Sequence, residues 1–383
     1  MTLSRNRRSS RFLKALSDCA DVLIVTHDNP DPDAIASSWA LAVLVREKLA
    51  KPVRCIAGGA IVRAENARLV QLLKPPMELV DRFESGPDTG IVLVDCAPTS
   101  ANQLLEGTGV KPLAVIDHHE SGGPSFRVKF RDIRKNVAAT ATIAAGYLQD
   151  QEIEPSIDLA TALVYAVETD ALGWPVYTRA DHRIISWATE RADPNKLVDI
   201  RAAPLPRAYF ADLLLAVEST HVFGNVALAF LPHAHGAEIV GEVADLLIRC
   251  DDFDRVLCAA AINGDTILSV RTTTAGGDAS ALVRRTLAGL GNGGGHTHRA
   301  GGKVSSATQG VPPAITESMQ PSRDVASSTA IDVESINEEA KPKSTPLSRP
   351  MQAELRKRWL HACGVSNESG ERLVAQSQII ENL

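Results

Sequence analysis

The hydrophobic positions in the first half of the chain fall into two alternating patterns. Short, nearly uninterrupted apolar runs are typical of buried strands, and apolar residues spaced every three or four positions are typical of helices. The predicted strands are 22–26, 91–95 and 113–116, and the predicted helices are 35–49, 64–73, 138–148 and 159–167. This alternation predicts an α/β fold with a parallel sheet and helices on both faces, in a domain that we assign to residues 1–195.

A second, smaller α/β domain is predicted after a connector at 196–220, across a cleft from the first. Its predicted strands are 226–231, 256–262 and 267–271, its predicted helices are 240–250 and 279–290, and its expected bounds are 221–305. The domain ends in a stretch that is mostly glycine, residues 293–302. Beyond it, 306–350 is rich in Ser, Thr, Pro, Glu and Lys without periodicity and is expected to be disordered, and 351–383 is expected to be a short helical tail.

Composition limits the function classes. The chain has 383 residues, of which 44% are hydrophobic and 22% charged, as in a globular protein with a sizeable core. A net charge of −6 and an aromatic share of 4% argue against a protein that coats long duplex DNA or stacks long single strands. The six cysteines form no C-x-x-C pair, and no apolar run is long enough to span a membrane. We therefore expect a cytoplasmic protein.

A polar cluster follows the first predicted strand directly, at residues 27–33. Clustered carboxylates repel one another unless a cation lies among them. Mixed His and Asp ligation favours manganese over calcium or magnesium, with zinc or iron(II) as alternatives. The alternative is a polar loop in which Asp33 caps the following helix, and this cluster alone leaves both interpretations open. The cluster contains His27, Asp28, Asp31 and Asp33.

Polar side chains also end two further strands and one helix. Asp95 ends the second predicted strand, Asp117-His118-His119 follows the third, and Glu168-Thr-Asp170 ends a predicted helix. In a parallel sheet the carboxyl ends of the strands open onto one crevice, so we expect these groups to converge there.

These four motifs, in this order, resemble those of the DHH phosphoesterases. The stretch 27–33 reads His-Asp-Asn-Pro-Asp-Pro-Asp, and 293–302 is similar to the signature of the DHH-associated C-terminal domain. The resemblance covers roughly residues 15–305. The superfamily includes the single-strand exonuclease RecJ, nanoRNases that also act on pAp, cyclic-di-AMP phosphodiesterases and manganese inorganic pyrophosphatases.

The resemblance implies two divalent cations, first of all Mn²⁺, with Mg²⁺, Co²⁺ or Fe²⁺ as alternatives. One ion would be held by His27 and Asp31, and Asp95 would bridge both ions. The ligands of the other ion would be Asp33, His118 and Asp170.

The same resemblance implies the remaining site residues. His119 would face the phosphate and act in catalysis with Asp95, and Asp117 would orient a ligand. Asn29 would be structural or contact substrate. Substrate binding in the second domain would come from Gly294, Gly295, His296 and Arg299.

The chain departs from the family pattern at two places. Arg299 stands where many members have a small residue, so it adds a phosphate contact or narrows the pocket. Ala171 and Leu172 follow Asp170, where the family usually has another hydroxyl residue.

The resulting functional hypothesis is hydrolysis of phosphate esters of short nucleotides, such as nanoRNA, pAp, or linear or cyclic dinucleotides, by a water that two metal ions activate. The expected partner is a short nucleotide or oligonucleotide, with no long duplex DNA and no membrane, and a homodimer is left open. The alternatives are a manganese inorganic pyrophosphatase or exopolyphosphatase-like hydrolase, and a nucleotide-binding protein without catalysis.

Overall fold

The computed structural model describes residues 8–100, 102–119, 127–170, 177–231, 234, 236–295, 297–305, 346–366 and 369–374. The chain divides into two compact units, Met1–Pro204 and Leu205–Leu383. Most of the segment expected to be disordered, 306–345, lies outside the described residues.

The first unit contains a six-stranded sheet in the order β3-β2-β1-β4-β5-β6, with all strands parallel. The prediction of an α/β fold with a parallel sheet is therefore confirmed. Its elements are α1 (Arg8–Leu16), β1 (Asp21–Val25), α2 (Pro32–Leu49), β2 (Val53–Ala57), α3 (Ala64–Leu73), β3 (Met77–Leu79), β4 (Thr89–Val94), β5 (Ala114–Asp117), β6 (Phe130–Ile133), α4 (Thr140–Asp150), α5 (Ile157–Asp170), α6 (Arg179–Thr189) and α7 (Pro194–Arg201).

Alternate side chains of each central strand enter different apolar clusters. In β1, Ile24 packs into a cluster with buried residues of α1, α2, α4 and α5, whereas Leu23 and Val25 enter a second cluster. Helices were expected on both faces of the sheet. In the described part of the chain, the second cluster combines strand residues with segments that follow β3 and β4, such as Phe83 and Leu105.

Helix α2 begins where the first polar cluster ends. Its N-cap is Asp31, whose Oδ1 accepts hydrogen bonds from the backbone N–H groups of Asp33 and Ala34, both at 3.0 Å. Pro32 occupies the first helical position, where its fixed φ suits the helix and no N–H is needed. The cap is thus Asp31, not Asp33, so the carboxylate of Asp33 is left for another contact.

The second unit contains a seven-stranded sheet in the order β11-β12-β10-β9-β8-β7-β13, in which only β8 and β9 pair in parallel among the described residues. Buried residues of α9 cover one face, and those of α10 and α11 cover the other. Its elements are α8 (Arg207–Ser219), β7 (His221–Phe223), β8 (Val226–Leu231), α9 (Glu238–Leu247), β9 (Arg255–Ile262), β10 (Asp265–Thr272), α10 (Ala279–Leu287), β11 (Asn292–Gly295), β12 (Arg299–Val304), α11 (Arg349–Cys363) and β13 (Glu371–Arg372).

The predicted connector and the predicted tail both contain well-defined helices. Residues 196–220, expected to be a connector, are largely helical because α7 and α8 occupy them. Helix α11 includes most of the first part of the predicted helical tail, and it packs on the second sheet through the fully buried Leu355 and Trp359. In the part of the chain that the structure describes, no helix is both long enough and apolar enough to cross a membrane.

Candidate metal centre

Asp95 lies directly after the end of β4, where the backbone changes direction. Its φ of 59° is in the left-handed region, which Asp tolerates better than most residues. The Asp95 N–H donates to the carbonyl of Ile116 at 3.0 Å, which ties the turn to the end of the neighbouring strand β5. Its side chain is only 2% exposed. The turn therefore holds a buried carboxylate at the carboxyl edge of the sheet.

One group of possible metal ligands comprises His27, Asp31 and Asp95. The Nε2 atom of His27 is 3.7 Å from Asp31 Oδ1 and 3.6 Å from Asp95 Oδ2. The other ring nitrogen, Nδ1, is 2.9 Å from the carbonyl oxygen of Asp28. Donation from Nδ1 to that carbonyl leaves Nε2 facing the two carboxylates, where it can bind a cation once its proton is lost, as in many metal-binding histidines.

A second group comprises Asp33, His118 and Asp170. The Nε2 atom of His118 is 3.1 Å from Asp170 Oδ2 and 3.8 Å from Asp33 Oδ2. It is also 3.7 Å from Asp95 Oδ1. Because the His118 ring hydrogen-bonds the backbone of Val137, its orientation towards the carboxylates is fixed.

Asp95 is shared between the two groups through different oxygens: Oδ2 faces His27, and Oδ1 faces His118. Ligand atoms about 2.0–2.2 Å from a divalent cation lie about 3 Å apart when adjacent and about 4 Å apart when opposite. The separations of 3.1–3.8 Å between these donor atoms fall in that range. The donor set therefore fits two cations with one common carboxylate.

The electrostatics favour a cation as well. Burial, together with the negative charges of Asp95 and Asp170, raises the pKa of Asp33 well above its usual range. Burial would also raise the pKa of Asp95, but the hydrogen bond from His27 and the nearby histidine charges outweigh burial and hold this pKa low. A divalent cation among these carboxylates would offset their mutual repulsion.

The side chain of His119 forms a short contact with the carboxylate of Asp117. The Nδ1 atom of His119 is 2.7 Å from Asp117 Oδ1 and 3.7 Å from Asp95 Oδ1, and its backbone N–H donates to the same Asp117 oxygen at 3.0 Å. Burial lowers the pKa of His119, but the bond to Asp117 and the surrounding carboxylates outweigh burial and raise it to about 9. In the metal-free protein the ring therefore favours its protonated form at neutral pH.

The first turn of α4 supplies contacts that the sequence reasoning missed. The Asp33 carboxylate accepts from the backbone N–H of Thr140 at 2.7 Å and from that of Ala141 at 2.6 Å. The Thr140 hydroxyl donates to Asp95 Oδ1 at 2.8 Å. Free N–H groups at a helix start attract anions, so this turn orients two candidate ligands. The only signal in the sequence was a threonine near the start of a predicted helix.

Asn29, a further expected site residue of the first unit, contacts the backbone of a neighbouring segment. Asn29 has a φ of 56°, and its Oδ1 accepts from the N–H of Ala60 at 3.0 Å, which joins the turn after β1 to the segment after β2. Ala171 and Leu172, the second departure from the family pattern, lie outside the described residues.

The glycine-rich stretch of the second unit forms strands β11 and β12, with His296 outside the described residues. Gly293 and Gly302 face α10, because a Cβ on either one would press against Val283. A Cβ on Gly294 would meet nothing within 4 Å. The strand pair thus presents bare backbone on its other face. Gly295, with a φ of 145°, ends β11.

Arg299 begins β12 and lies opposite Arg271 of β10. Both guanidinium groups approach Asp245, at 2.7 Å from Arg271 Nε and 3.4 Å from Arg299 Nη2. The Asp245 carboxylate thus forms ion pairs with both guanidinium groups.

Part of the chain matches a known protein family. Residues 21–167 match the DHH family, N-terminal domain. An uncharacterized protein of Methanocaldococcus jannaschii is 29% identical over 287 residues, which are 74% of this chain and 58% of that relative. The chain therefore spans less than two thirds of this relative's length.

Two further proteins are similar to the chain. The bifunctional oligoribonuclease and PAP phosphatase NrnA of Thermus thermophilus is 25% identical over 242 residues, 61% of this chain and 69% of the relative. The crystal structure of an exopolyphosphatase-related protein from Bacteroides fragilis has a TM-score of 0.61, with 17% identity, and covers 77% of this chain and 90% of that one. The structural likeness shows a shared fold.

Proposed function

The chain is a member of the DHH superfamily, and we propose that it is a metal-dependent phosphoesterase that hydrolyses phosphate esters of short nucleotides. The observation that carries this proposal is the position of Asp95. Its two carboxylate oxygens face His27 on one side and His118 on the other, at 3.6 and 3.7 Å. A carboxylate in this position can bridge two cations, as a two-metal hydrolase site would use it.

Two divalent cations, Mn²⁺ first among them, would supply an activated water and neutralise charge on the phosphate. In our proposal His27 and Asp31 hold one cation, and Asp95 sets the distance between the two. The ligands proposed for the other cation are Asp33, His118 and Asp170. Mixed imidazole and carboxylate ligation is compatible with Mn²⁺, whereas a magnesium site would be expected to use oxygen ligands alone.

His119 acts on the phosphate, not on a cation. Its Nδ1 proton is held by Asp117, which is fully buried and fixes the ring orientation. The imidazolium offsets negative charge that builds on the phosphoryl oxygens as the water attacks. The protonated Nε2, its remaining ring nitrogen, can donate a hydrogen bond to a phosphoryl oxygen.

The second unit supports a nucleotide substrate with a terminal phosphate. Backbone N–H groups near glycines can approach anionic oxygens closely, and Gly294 leaves its strand uncovered on one face. We propose that Gly294, Gly295 and Arg299 bind that phosphate. His296 is predicted to bind it as well. The similarity to a protein named for oligoribonuclease and PAP phosphatase activities supports this substrate class.

A substrate comparison tests the proposal. The manganese-loaded protein is incubated with pAp, pGpG, cyclic-di-AMP, a short RNA oligonucleotide and pyrophosphate, and the release of products is compared at equal concentrations. We expect the fastest turnover with one of the short nucleotides. Fastest turnover with pyrophosphate would instead support an inorganic pyrophosphatase, and nucleotide binding without hydrolysis would support a non-catalytic protein.

A further inference from the structure

Asp181 is a fully buried carboxylate in the first turn of α6. One of its oxygens, Oδ2, accepts from the backbone N–H of Thr178 at 2.8 Å and from the Thr178 hydroxyl at 2.7 Å. The bond from the Thr178 N–H, together with the Asp181 N–H that donates to the Thr178 hydroxyl oxygen at 3.3 Å, forms a capping box that begins α6. A capping box explains one carboxylate oxygen only, and at a helix start the second oxygen would ordinarily be hydrated.

The second oxygen of Asp181 contacts a different helix. Oδ1 accepts from the backbone N–H of Ala138 at 3.1 Å and from the Thr142 hydroxyl at 2.7 Å. Thr142 is 2% exposed, so its hydroxyl is bonded away from solvent. These partners lie 43 and 39 residues away in sequence. Asp181 therefore joins the start of α6 to the start of α4.

The segment that Asp181 holds is the one that orients the candidate metal ligands. Between Ala138 and Thr142 lies Thr140, whose N–H and hydroxyl contact Asp33 and Asp95. Val137, next to Ala138, hydrogen-bonds the ring of His118 through its backbone. A shift of this segment would consequently displace the supports of three candidate ligands together.

We propose that Asp181 is a positioning residue for the metal centre, which fixes the first turn of α4 so that Asp33, Asp95 and His118 keep cation-binding geometry. The inference rests on the proposed function. The physical reason is that ligand sets tolerate displacements of only about 0.5 Å, so groups that hold the ligands affect affinity without touching the ion. In this role Asp181 neither gives up nor takes up a proton.

The test measures Mn²⁺ affinity of the metal-free, full-length protein by isothermal titration calorimetry. Asp181→Asn keeps the side-chain volume but replaces one acceptor oxygen by an NH₂ group, which leaves buried donors without an acceptor. We expect the dissociation constant for Mn²⁺ to rise about 10–100-fold. The matched control is Asp193→Asn, because Asp193 caps α7 through the N–H groups of Asn195 and Lys196.

A second pair of variants isolates the contact to α4. Thr142→Val removes the hydroxyl that donates to Asp181 without changing the capping box of α6, and Thr142→Ser retains a hydroxyl. We expect weaker Mn²⁺ binding for the valine variant and recovery for the serine variant. This pair also carries the test if Asp181→Asn fails to fold, since thermal unfolding of each variant is recorded beside its affinity.

The outcomes separate the two proposals. If the native protein binds no Mn²⁺, the proposed function fails, and the positioning role falls with it. If the native protein binds Mn²⁺, and Thr142→Val and Asp181→Asn bind it as tightly as Asp193→Asn does, only the positioning role is overturned. A loss of thermal stability with unchanged affinity would likewise assign Asp181 to helix capping alone.

Discussion

In the first unit, Asp95 and Asp117 lie at the ends of neighbouring parallel strands, whereas in the second unit the strands at 292–304 run antiparallel and are rich in glycine. Parallel strands end at one edge of the sheet, so residues distant in sequence bring their side chains together there. The antiparallel glycine strands present mainly backbone, with the charge of Arg299 beside it.

The proposed function divides between the two units along the same line. Side chains in contact with cations and reacting atoms govern the chemical step, whereas backbone that contacts a remote phosphate governs binding. Changes to carboxylates in the first unit should therefore lower kcat. Changes at the glycine strands of the second unit should instead raise KM.

The largest effect is expected at the shared carboxylate. Asp95→Asn keeps the shape of the side chain but removes its negative charge and one of the two oxygens that face His27 and His118. We expect kcat to fall at least about a thousandfold, which corresponds to about 4 kcal/mol of transition-state stabilisation. Steady-state kinetics with added Mn²⁺ measures the loss, with Asp193→Asn as control. Near-normal kcat at full metal occupancy would contradict a bridging role.

A smaller effect is expected in the second unit. Gly294→Val places a side chain on the uncovered face of β11, where a Cβ meets no other atom within 4 Å, so the fold should be retained. Loss of hydrogen bonds to a charged phosphate costs about 1.5–3 kcal/mol, so we expect KM to rise more than about tenfold. Initial-rate kinetics would show this rise with kcat nearly unchanged.

The control for this variant is Gly146→Ala, because Gly146 of α4 also has open space for a Cβ but lies outside the glycine strands. A fall in kcat without a rise in KM for Gly294→Val would remove the functional distinction between the two units.

Much of the first unit could be predicted because its signals are local. The strand of 22–25 is a continuous apolar run, and Asp95 follows another such run directly. The short strands β2 and β6 were missed, since an arginine interrupts the apolar residues of each. Helix α8 was missed as well, and its exposed Phe210 blurs the amphipathic pattern that predicts a helix.

The candidate ligands could be identified from motifs, but the groups that hold them could not. Asp33 accepts from Thr140 and Ala141, 107 and 108 residues further along the chain. Such contacts depend on how α2 and α4 pack, and no local pattern records that packing. Asp181 was likewise invisible, because in sequence it is one more acidic residue near a helix start.

The smallest expected effect is the pH dependence of Mn²⁺ affinity, which should depend on the first unit and not on the second. Burial lowers the pKa of His27, but hydrogen bonds to Asp31 and Asp95 and their charges outweigh burial and raise it well above its usual value. A cation must displace the His27 proton, so Mn²⁺ affinity should increase with pH by less than about tenfold per pH unit. Calorimetric titration between about pH 6 and pH 8 would measure this slope, which Gly294→Val should leave unchanged.

Mn²⁺ affinity should increase with pH, whereas the stability of the metal-free protein should decrease with pH. Because the folded-state pKa of His27 is raised, its contribution to the free energy of unfolding is complete below the unfolded value of about 6.5 and is lost as pH rises through the folded pKa. His119, with a pKa raised to about 9, contributes in the same direction. Thermal unfolding of His27→Asn should therefore depend less on pH than that of the native chain. An equal dependence would show that the carboxylates do not hold a proton on His27, and the charge balance inferred for the metal centre would need revision.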